Sequence, residues 1–600
     1  MNDKKQDSNK LLFYLLALLL CMSYLQSTFI PYFSPPKKQQ SPELQALLAT
    51  PSEQVQASTS SLPITAVPKP EQLSINHAPQ DEALEKAGEI TIKTDKMSAT
   101  LTLIGGRMRD LYLLEYLEHV DDPDKKLNMV EHETGAPLPL GIYWGQENDA
   151  LVNYQVVNIE NAKELPASKE RRVYAAANDR PTKLVLQGKA SGGQQIIKKI
   201  TFNPGGYLID LSYEISEVSS LEPVEIEWNK RVTAQSPSLL NPYAAGEFVW
   251  FDGVKTDRQL FSDFDKEVRK SENQQGANNL IFDVVKDKLT WITMGDVYFM
   301  ATLIAPEQAR GRILRTPDLY RTRLVQSGGK SQNYQLYVGP KILSLLESAN
   351  YALYRNINIG KTGFISVPMM GFLRLLFNLF GNYGLAIIGF AITAKFCMIP
   401  LTMTMFKQGK AMQSVGPEIK RIREQVKDKA KQQQMMMELY KKKGVNPMGG
   451  CLPALIQMPI FIGLYSALQL SFELRHAPFA LWIKDLSVKE SFLIGGVGIP
   501  VMVIAFTLTT MLQFWITPMG GDDPEQKKQK QIMMFVMPIM FGFMFASSPA
   551  GLTLYFLANN IISIVQQKAF NSGGLKTVIW TSALSSVAIL LVGYLLIKIS

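Results

Sequence analysis

The part of the chain that follows Gly381 admits few folds. Five apolar runs succeed one another at about 383–405, 449–470, 493–517, 532–547 and 549–567, and none contains Asp or Glu. A run of roughly 20 apolar residues matches the ~30 Å hydrocarbon layer of a bilayer. In lipid, a chain segment must satisfy its own backbone, which a helix does. The fourth run is short, and Ser547-Ser548-Pro549-Ala550-Gly551 must turn the chain within a few residues. A sixth run, Thr577–Ile597, has the length for one more span. The spacing therefore predicts an α-helical polytopic membrane protein. Averages conceal this, since 46% hydrophobic and 19% charged residues over 600 positions look ordinary. They mix a polar, turn-rich segment with a membrane segment, so two or more domains are expected.

The remainder divides by pattern. Residues 11–31 form an uncharged run behind Lys4, Lys5 and Lys10. A cleaved signal peptide is the rival reading, but a small-x-small cleavage site is missing and Leu20-Cys21-Met22 is a poor lipoprotein site. An uncleaved anchor in 1–32 with a cytoplasmic amino terminus is favoured. Residues 33–85, rich in Pro, Ser, Gln and Ala, read as a flexible linker. From 86 to 345 short strands alternate with turns: Ile90–Ile92, Thr100–Leu103, Lys183–Leu186, Tyr207–Ile215, Val224–Trp228 and Tyr298–Ile304, with Asn203-Pro204-Gly205-Gly206 and Gly328-Gly329 between strands. This predicts a large all-β sandwich domain. It has no cysteine, and its scattered carboxylates form no catalytic pattern. The four histidines lack metal-ligand spacing. In the connecting segment 346–382, Phe372, Leu375, Leu376, Leu379 and Phe380 fall on one helical side and Arg374 and Asn378 on the other. That pattern predicts an interfacial amphipathic helix, or alternatively a buried helix of the β domain.

Residues 407–443 carry eleven Lys/Arg against four Asp/Glu, which places this loop in the cytoplasm. Counting spans backwards puts the β domain outside, in agreement with the anchor. The loop reads as a helical hairpin, with Ile419, Ile422 and Val426 facing Met436, Leu439 and Tyr440, closed by Gly444-Val445-Asn446-Pro447. Lys407, Lys410, Lys420, Arg421, Arg423, Lys441, Lys442 and Lys443 suit anionic lipid headgroups or ribosomal RNA, or simply a solvated face. Nineteen of 26 methionines lie from Met369 onward; they suit a surface that greets many apolar sequences, or ordinary gap filling.

One strongly basic residue, Lys395, lies inside a span. Lys407 is twelve residues away, about 18 Å along a helix, which is beyond a lysine's reach to the cytoplasmic surface. An intramembrane ammonium is costly and usually faces a wet cavity or the bundle interior. The alternative is a helix that starts later, leaving Lys395 near the interface. Thr393, Gln457, Ser466, Gln513, Asn559, Asn560, Ser563 and Gln566, with Gln567 beyond them, are candidate lining for a hydrophilic groove. Taken alone, each is better read as helix–helix glue, and together they suit a groove.

The stretches GNYG (381–384), KFCMIPLT (395–402), VNPMGGCLPALIQMPIFIGLY (445–465), ELRHAPFALWIKDLS (473–487), FVMPIMF (535–541) and SPAGLTLYFLANNIISIVQQ (548–567) resemble the YidC/Oxa/Alb family of membrane protein insertases. The resemblance is strong over about 360–570. GDVYFMATLIAP (295–306) and YVGP (337–340) extend it more weakly into the periplasmic region of the Gram-negative form. It implies a five-span insertase core over 383–567, an amino-terminal anchor, a periplasmic β-sandwich and a location in the cell inner membrane. The implied function is insertion, folding and assembly of inner-membrane proteins, alone or beside the Sec translocon, through a groove open to cytoplasm and lipid. The implied partners are nascent inner-membrane proteins, the Sec translocon with its accessory subunits, the ribosome and membrane lipids. Lys395 stands where bacterial members usually carry arginine, so a bidentate fork is absent. The 568–600 segment, with its extra apolar run, is unusual and would carry the carboxyl terminus to the periplasm. The basic carboxyl-terminal tail of some members is short here, which leaves 407–443 as the docking surface. No Walker-type loop is present, and no cofactor or catalytic residue is expected. A secondary transporter is the alternative, though it would usually bring intramembrane carboxylates and internal repeats. A membrane-tethered carbohydrate-active β domain is a third reading.

Overall fold

A computed structural model describes residues 88–599 apart from 131–135, 146, 167–170, 217–222, 233–245, 276–281, 317, 327–330, 359–362, 427, 446–451, 495–496 and 518–530. The expected anchor (1–32), the linker (33–85) and the Gly328-Gly329 turn lie outside the described residues. The chain divides into two compact units that part at Asn356/Ile357. The short helices at 343–356 therefore group with the β unit.

In the β unit every expected strand is present. A six-stranded sheet runs in the order Lys126–Asn128, Met108–Leu117, Met97–Thr102, Glu89–Lys93, Arg171–Ala176 and Ala162–Leu165, with the pair Glu89–Lys93 and Arg171–Ala176 parallel. A thirteen-stranded sheet is built around antiparallel neighbours such as Gln195–Phe202, Leu208–Ile215 and Ser331–Pro340. Helix α1 (Phe261–Gln275) interrupts the strands, and α2 (Leu343–Ser348) follows the last of them. Gly205, at φ 71°, allows the expected turn between Gln195–Phe202 and Leu208–Ile215.

Strand pleating sends alternate side chains inward. In Gln195–Phe202 these are Ile196, Lys198, Ile200 and Phe202. Lys198 is thus delivered to the interior, where its Nζ lies 2.5 Å from Asp149 Oδ2. It also donates to the carbonyl oxygens of Gly105 (2.7 Å), Gly106 (3.2 Å) and Leu140 (3.3 Å). Arg107 donates to the other Asp149 oxygen at 3.1 Å. Burial pulls the Lys198 ammonium down to about 8 against the attraction of Asp149. A second buried group centres on Glu227, which accepts from Arg323 Nε at 2.7 Å and lies 3.7 Å from Arg321. Burial alone would raise the Glu227 carboxyl, but Arg321, Arg323 and Arg107 outweigh it and hold it at about 2.

The other unit is helical: α3 (Gly363–Phe380), α4 (Tyr383–Gln425), α5 (Lys429–Lys443), α6 (Leu452–Leu470), α7 (Val501–Ile516), α8 (Met537–Phe545), α9 (Ala550–Ser572) and α10 (Leu575–Ile599). Helix α3 buries Ser366, Met369, Leu373 and Leu376. Of its expected stripe, Leu376 is buried whereas Leu375 and Leu379 are exposed. Arg374, on the expected polar side, pairs with Glu473.

Gly381 at φ 68° turns the chain, and the Asn382 side chain accepts from Leu385 N at 3.1 Å to start α4. Its amide group also donates to the Pro478 and Phe479 carbonyls. The same loop holds the start of α9, because Ala550 N donates to Val488 O at 2.7 Å and Gly551 N to Leu486 O at 2.9 Å.

Two boundaries depart from the sequence expectation. The run expected to span from 493 begins its helix at 501, because 492–494 and 497–499 pair as a β-hairpin. The Glu490 carboxylate accepts Met502 N at 2.7 and 2.9 Å and so caps α7 from outside the local sequence. Helix α4 also runs unbroken from its apolar stretch through Gln425, forming the first arm of the charged hairpin. Helix α5 is the second arm, capped by Asp428 and ended by Gly444 at φ 68°. Ile419 is buried in this hairpin, and Ile422, Val426, Met436, Leu439 and Tyr440 are half-buried.

Candidate functional site

Lys395 sits in the fourth turn of α4, half-buried. Residues i−4 and i+4 share its face, and these are the buried Ala391 and Ile399. Among the described residues no hydrogen bond or ion pair engages its ammonium. Thr393, two residues earlier, is exposed and donates back to Gly389 O at 2.9 Å.

Most candidate polar residues converge on α9, whose sequence interleaves aromatic, aliphatic and amide side chains so that several faces are polar. Tyr555 is fully buried, and its hydroxyl accepts from Gln457 Nε2 of α6 at 2.9 Å. Asn560 Nδ2 donates to Thr510 Oγ1 of α7 at 2.7 Å. Ser563 Oγ donates to Asn559 O at 2.7 Å, within α9. Gln567 donates to Ile516 O at 3.1 Å and accepts from Thr517 Oγ1 at 3.1 Å. Gln566 is 0% exposed, and neither end of its amide group has a partner among the described residues. Ser466 and Gln513 are half-buried on α6 and α7. Asn559, Asn560, Ser563, Gln566 and Gln567 are all buried, so α9 is the polar axis of the helical unit.

Tyr555, Thr510 and Ser582 were missing from the expected set. A tyrosine flanked by leucine and phenylalanine looks like packing, and only its hydrogen bond to Gln457 marks it out. Among the described residues, no three His, Cys, Asp or Glu side chains gather as they would around a metal ion.

On the charged hairpin, Lys407, Lys410, Lys420, Arg421, Lys441, Lys442 and Lys443 are exposed and Arg423 is half-buried. Lys443 pairs with Glu418 at 2.6 Å and Lys420 lies 3.9 Å from Glu424. Lys410 Nζ lies 4.7 Å from the Phe570 ring centre. The surface charge remains strongly positive after these pairings.

Residues 375–576 match the family described as 60Kd inner membrane protein, and 89–372 match the YidC periplasmic domain. The membrane protein insertase YidC of Syntrophus aciditrophicus (strain SB) is 32% identical over 82% of this chain and 86% of its own length. The YidC insertase of Geobacter metallireducens is 30% identical over 93% of this chain and 97% of its own. A crystal structure of an active YidC insertase with its first transmembrane domain resolved aligns over 80% of this chain and 91% of its own, at 19% identity and a TM-score of 0.33. Apolar helices, a large β domain and identity sustained through both halves lead to one conclusion: this chain belongs to the YidC family of membrane protein insertases.

Proposed function

We propose that this insertase works by lending a polar, hydrated interior to the flank of a nascent span, with Lys395 as its fixed charge. The observation that carries the reading is the buried polar axis of α9 lying within an otherwise apolar bundle. A short polar flank that enters beside Lys395, Asn559, Asn560 and Ser563 keeps part of its hydration, which lowers the desolvation cost of crossing. The apolar part then leaves between helices into lipid, where burial of its surface drives the step. Water transfer and lipid burial suffice, and no bond is made or broken.

The exposed cations of α4 and α5 supply a docking surface for ribosomal RNA or anionic headgroups. In this reading the clients are nascent inner-membrane proteins, delivered alone or from the Sec translocon with its accessory subunits. The β domain is periplasmic and the amino terminus cytoplasmic.

The test is integration of a small inner-membrane client with an acidic translocated tail, after depletion of the native protein. Lys395→Ala is expected to reduce integration at least severalfold, and Lys395→Arg to retain it, because charge rather than fork geometry is used. Unchanged integration and growth with Lys395→Ala would reject the role of the charge.

A further inference from the structure

Helix α10 lies antiparallel to α4 along much of its apolar length. Near one end, Gly593 approaches Leu385, Ile388 and Phe479 so closely that an added Cβ would lie 2.9 Å from Leu385 Cδ2. Near the other end, Val578 packs with Ile399 and Met403 of α4 and Ala569 of α9. Lys395 falls between these contacts. Its neighbours at i−7 and i+4, Ile388 and Ile399, both meet α10 residues. Two turns N-terminal to it, Ile387 lies against Gly551 of α9. Helical geometry therefore directs Lys395 towards the seam where α4, α9 and α10 meet.

The register of that seam brings two further polar groups to the same level. One turn from Ile399 along α4 is Lys395, one turn from Ala569 back along α9 is Gln566, and one turn from Val578 along α10 is Ser582. Because α9 runs parallel to α4 and α10 against it, all three steps go the same way. Gln566 shares its face with the buried Ile562 and Ala569. Gln566 and Ser582 are each 0% exposed, and the Gln566 amide group and the Ser582 hydroxyl have no partner among the described residues. Buried polar groups are rarely left unpaired. An ammonium donates only, whereas an amide group and a hydroxyl both donate and accept, so water is the small ligand that can join all three.

We infer that Lys395, Gln566 and Ser582 enclose an internal water-binding site in the α4–α9–α10 seam, and that the carboxyl-terminal helix completes it. The extra span is then part of the insertase site, because it supplies one wall and one hydroxyl to the hydration of the lysine. This builds on the hydrated-lysine reading above, and the experiment separates the two.

In full-length protein reconstituted in liposomes, with Cys21, Cys397 and Cys451 replaced by Ser, single cysteines are introduced as Ser582→Cys, Lys395→Cys and Leu584→Cys. Leu584, 74% exposed on the outer face of α10, reports lipid. Each is treated with a small methanethiosulfonate reagent that reacts with the hydrated thiolate. Ser582→Cys is expected to react within about tenfold of Lys395→Cys, with Leu584→Cys at least a hundredfold slower. Gln566→Cys, which keeps the native lysine, reads the same seam should Lys395→Cys fail to fold, and is expected to react like Ser582→Cys. An inert Ser582→Cys beside a reactive Lys395→Cys overturns the seam site and leaves the hydrated lysine standing. Inert thiols at 395, 566 and 582 overturn both. Equal reaction at Leu584→Cys also overturns the seam site, since access would then come from outside the helices.

Discussion

Two lysines, the buried Lys198 of the β unit and the half-buried Lys395 of the helical unit, have surroundings that give them two roles. Lys198 is locked by Asp149 and three carbonyl oxygens, so its charge is consumed in holding the Gly105-Gly106 turn to a neighbouring strand. Among the described residues no carboxylate pairs with Lys395, which leaves its charge available. The Glu227 cluster gives a pH test of the first kind of site. Its carboxyl has an ordinary value of 4.5 and is held at about 2 in the fold. A depressed carboxyl contributes stability that is full above the unfolded value and lost as pH falls through the folded one. The melting temperature of the native protein, followed by near-ultraviolet circular dichroism, is expected to exceed that of Glu227→Gln at pH 6. The difference should close as pH falls from about 4.5 to 2; a constant difference across that range would contradict the ion-pair account. At this scale the sequence exposed Lys395 at once, because a single charge in an apolar run stands alone. It hid Lys198 among the other lysines of a polar domain, since only strand alternation and distant partners bury it.

Among elements, the helices were readable where an apolar run coincides with local capping and obscure where the cap is remote. Asn382 caps α4 from the adjacent position, and the start at 383 was anticipated. Helix α7 begins at 501 because Glu490, eleven residues earlier, accepts the Met502 amide with both carboxylate oxygens, a signal no window of hydropathy contains. The segments GNYG, ELRHAPFALWIKDLS and SPAGL look like separate motifs in the sequence. In space they form one hydrogen-bonded junction, Asn382 to Phe479 and Gly551 to Leu486. Helix α10 is held to α4 by close approach at Gly593. Gly593→Leu is therefore expected to separate the two helices. A disulfide formed between Ile399→Cys and Val578→Cys should drop at least severalfold in yield when Gly593→Leu is added. An unaltered yield would show that the glycine is not what permits the contact.

For the molecule as a whole, the division into a β unit and a helical unit follows from composition alone, because two patterns of hydrophobicity demand two solvents. The convergence of Gln457, Tyr555, Asn560, Thr510 and Gln567 around one helix did not follow, since hydropathy reports how far a residue lies along a span and not which neighbour it faces. We propose, from the positive loop at 407–443 and five subsequent crossings, that the chain ends on the far side of the inner membrane from that loop. A reporter active only in the periplasm, fused after Ser600, is expected to be active, and one fused after Gly573 to be inactive. The reverse pattern would remove α10 from the membrane.

The most direct measurement concerns position 395 with and without a client. Lys395→Cys in vesicles should react with a small aqueous thiol reagent when the insertase is empty, and a stalled nascent span should protect it at least tenfold. A thiol that is inert in the empty protein, or one that a bound client leaves equally reactive, would contradict the account.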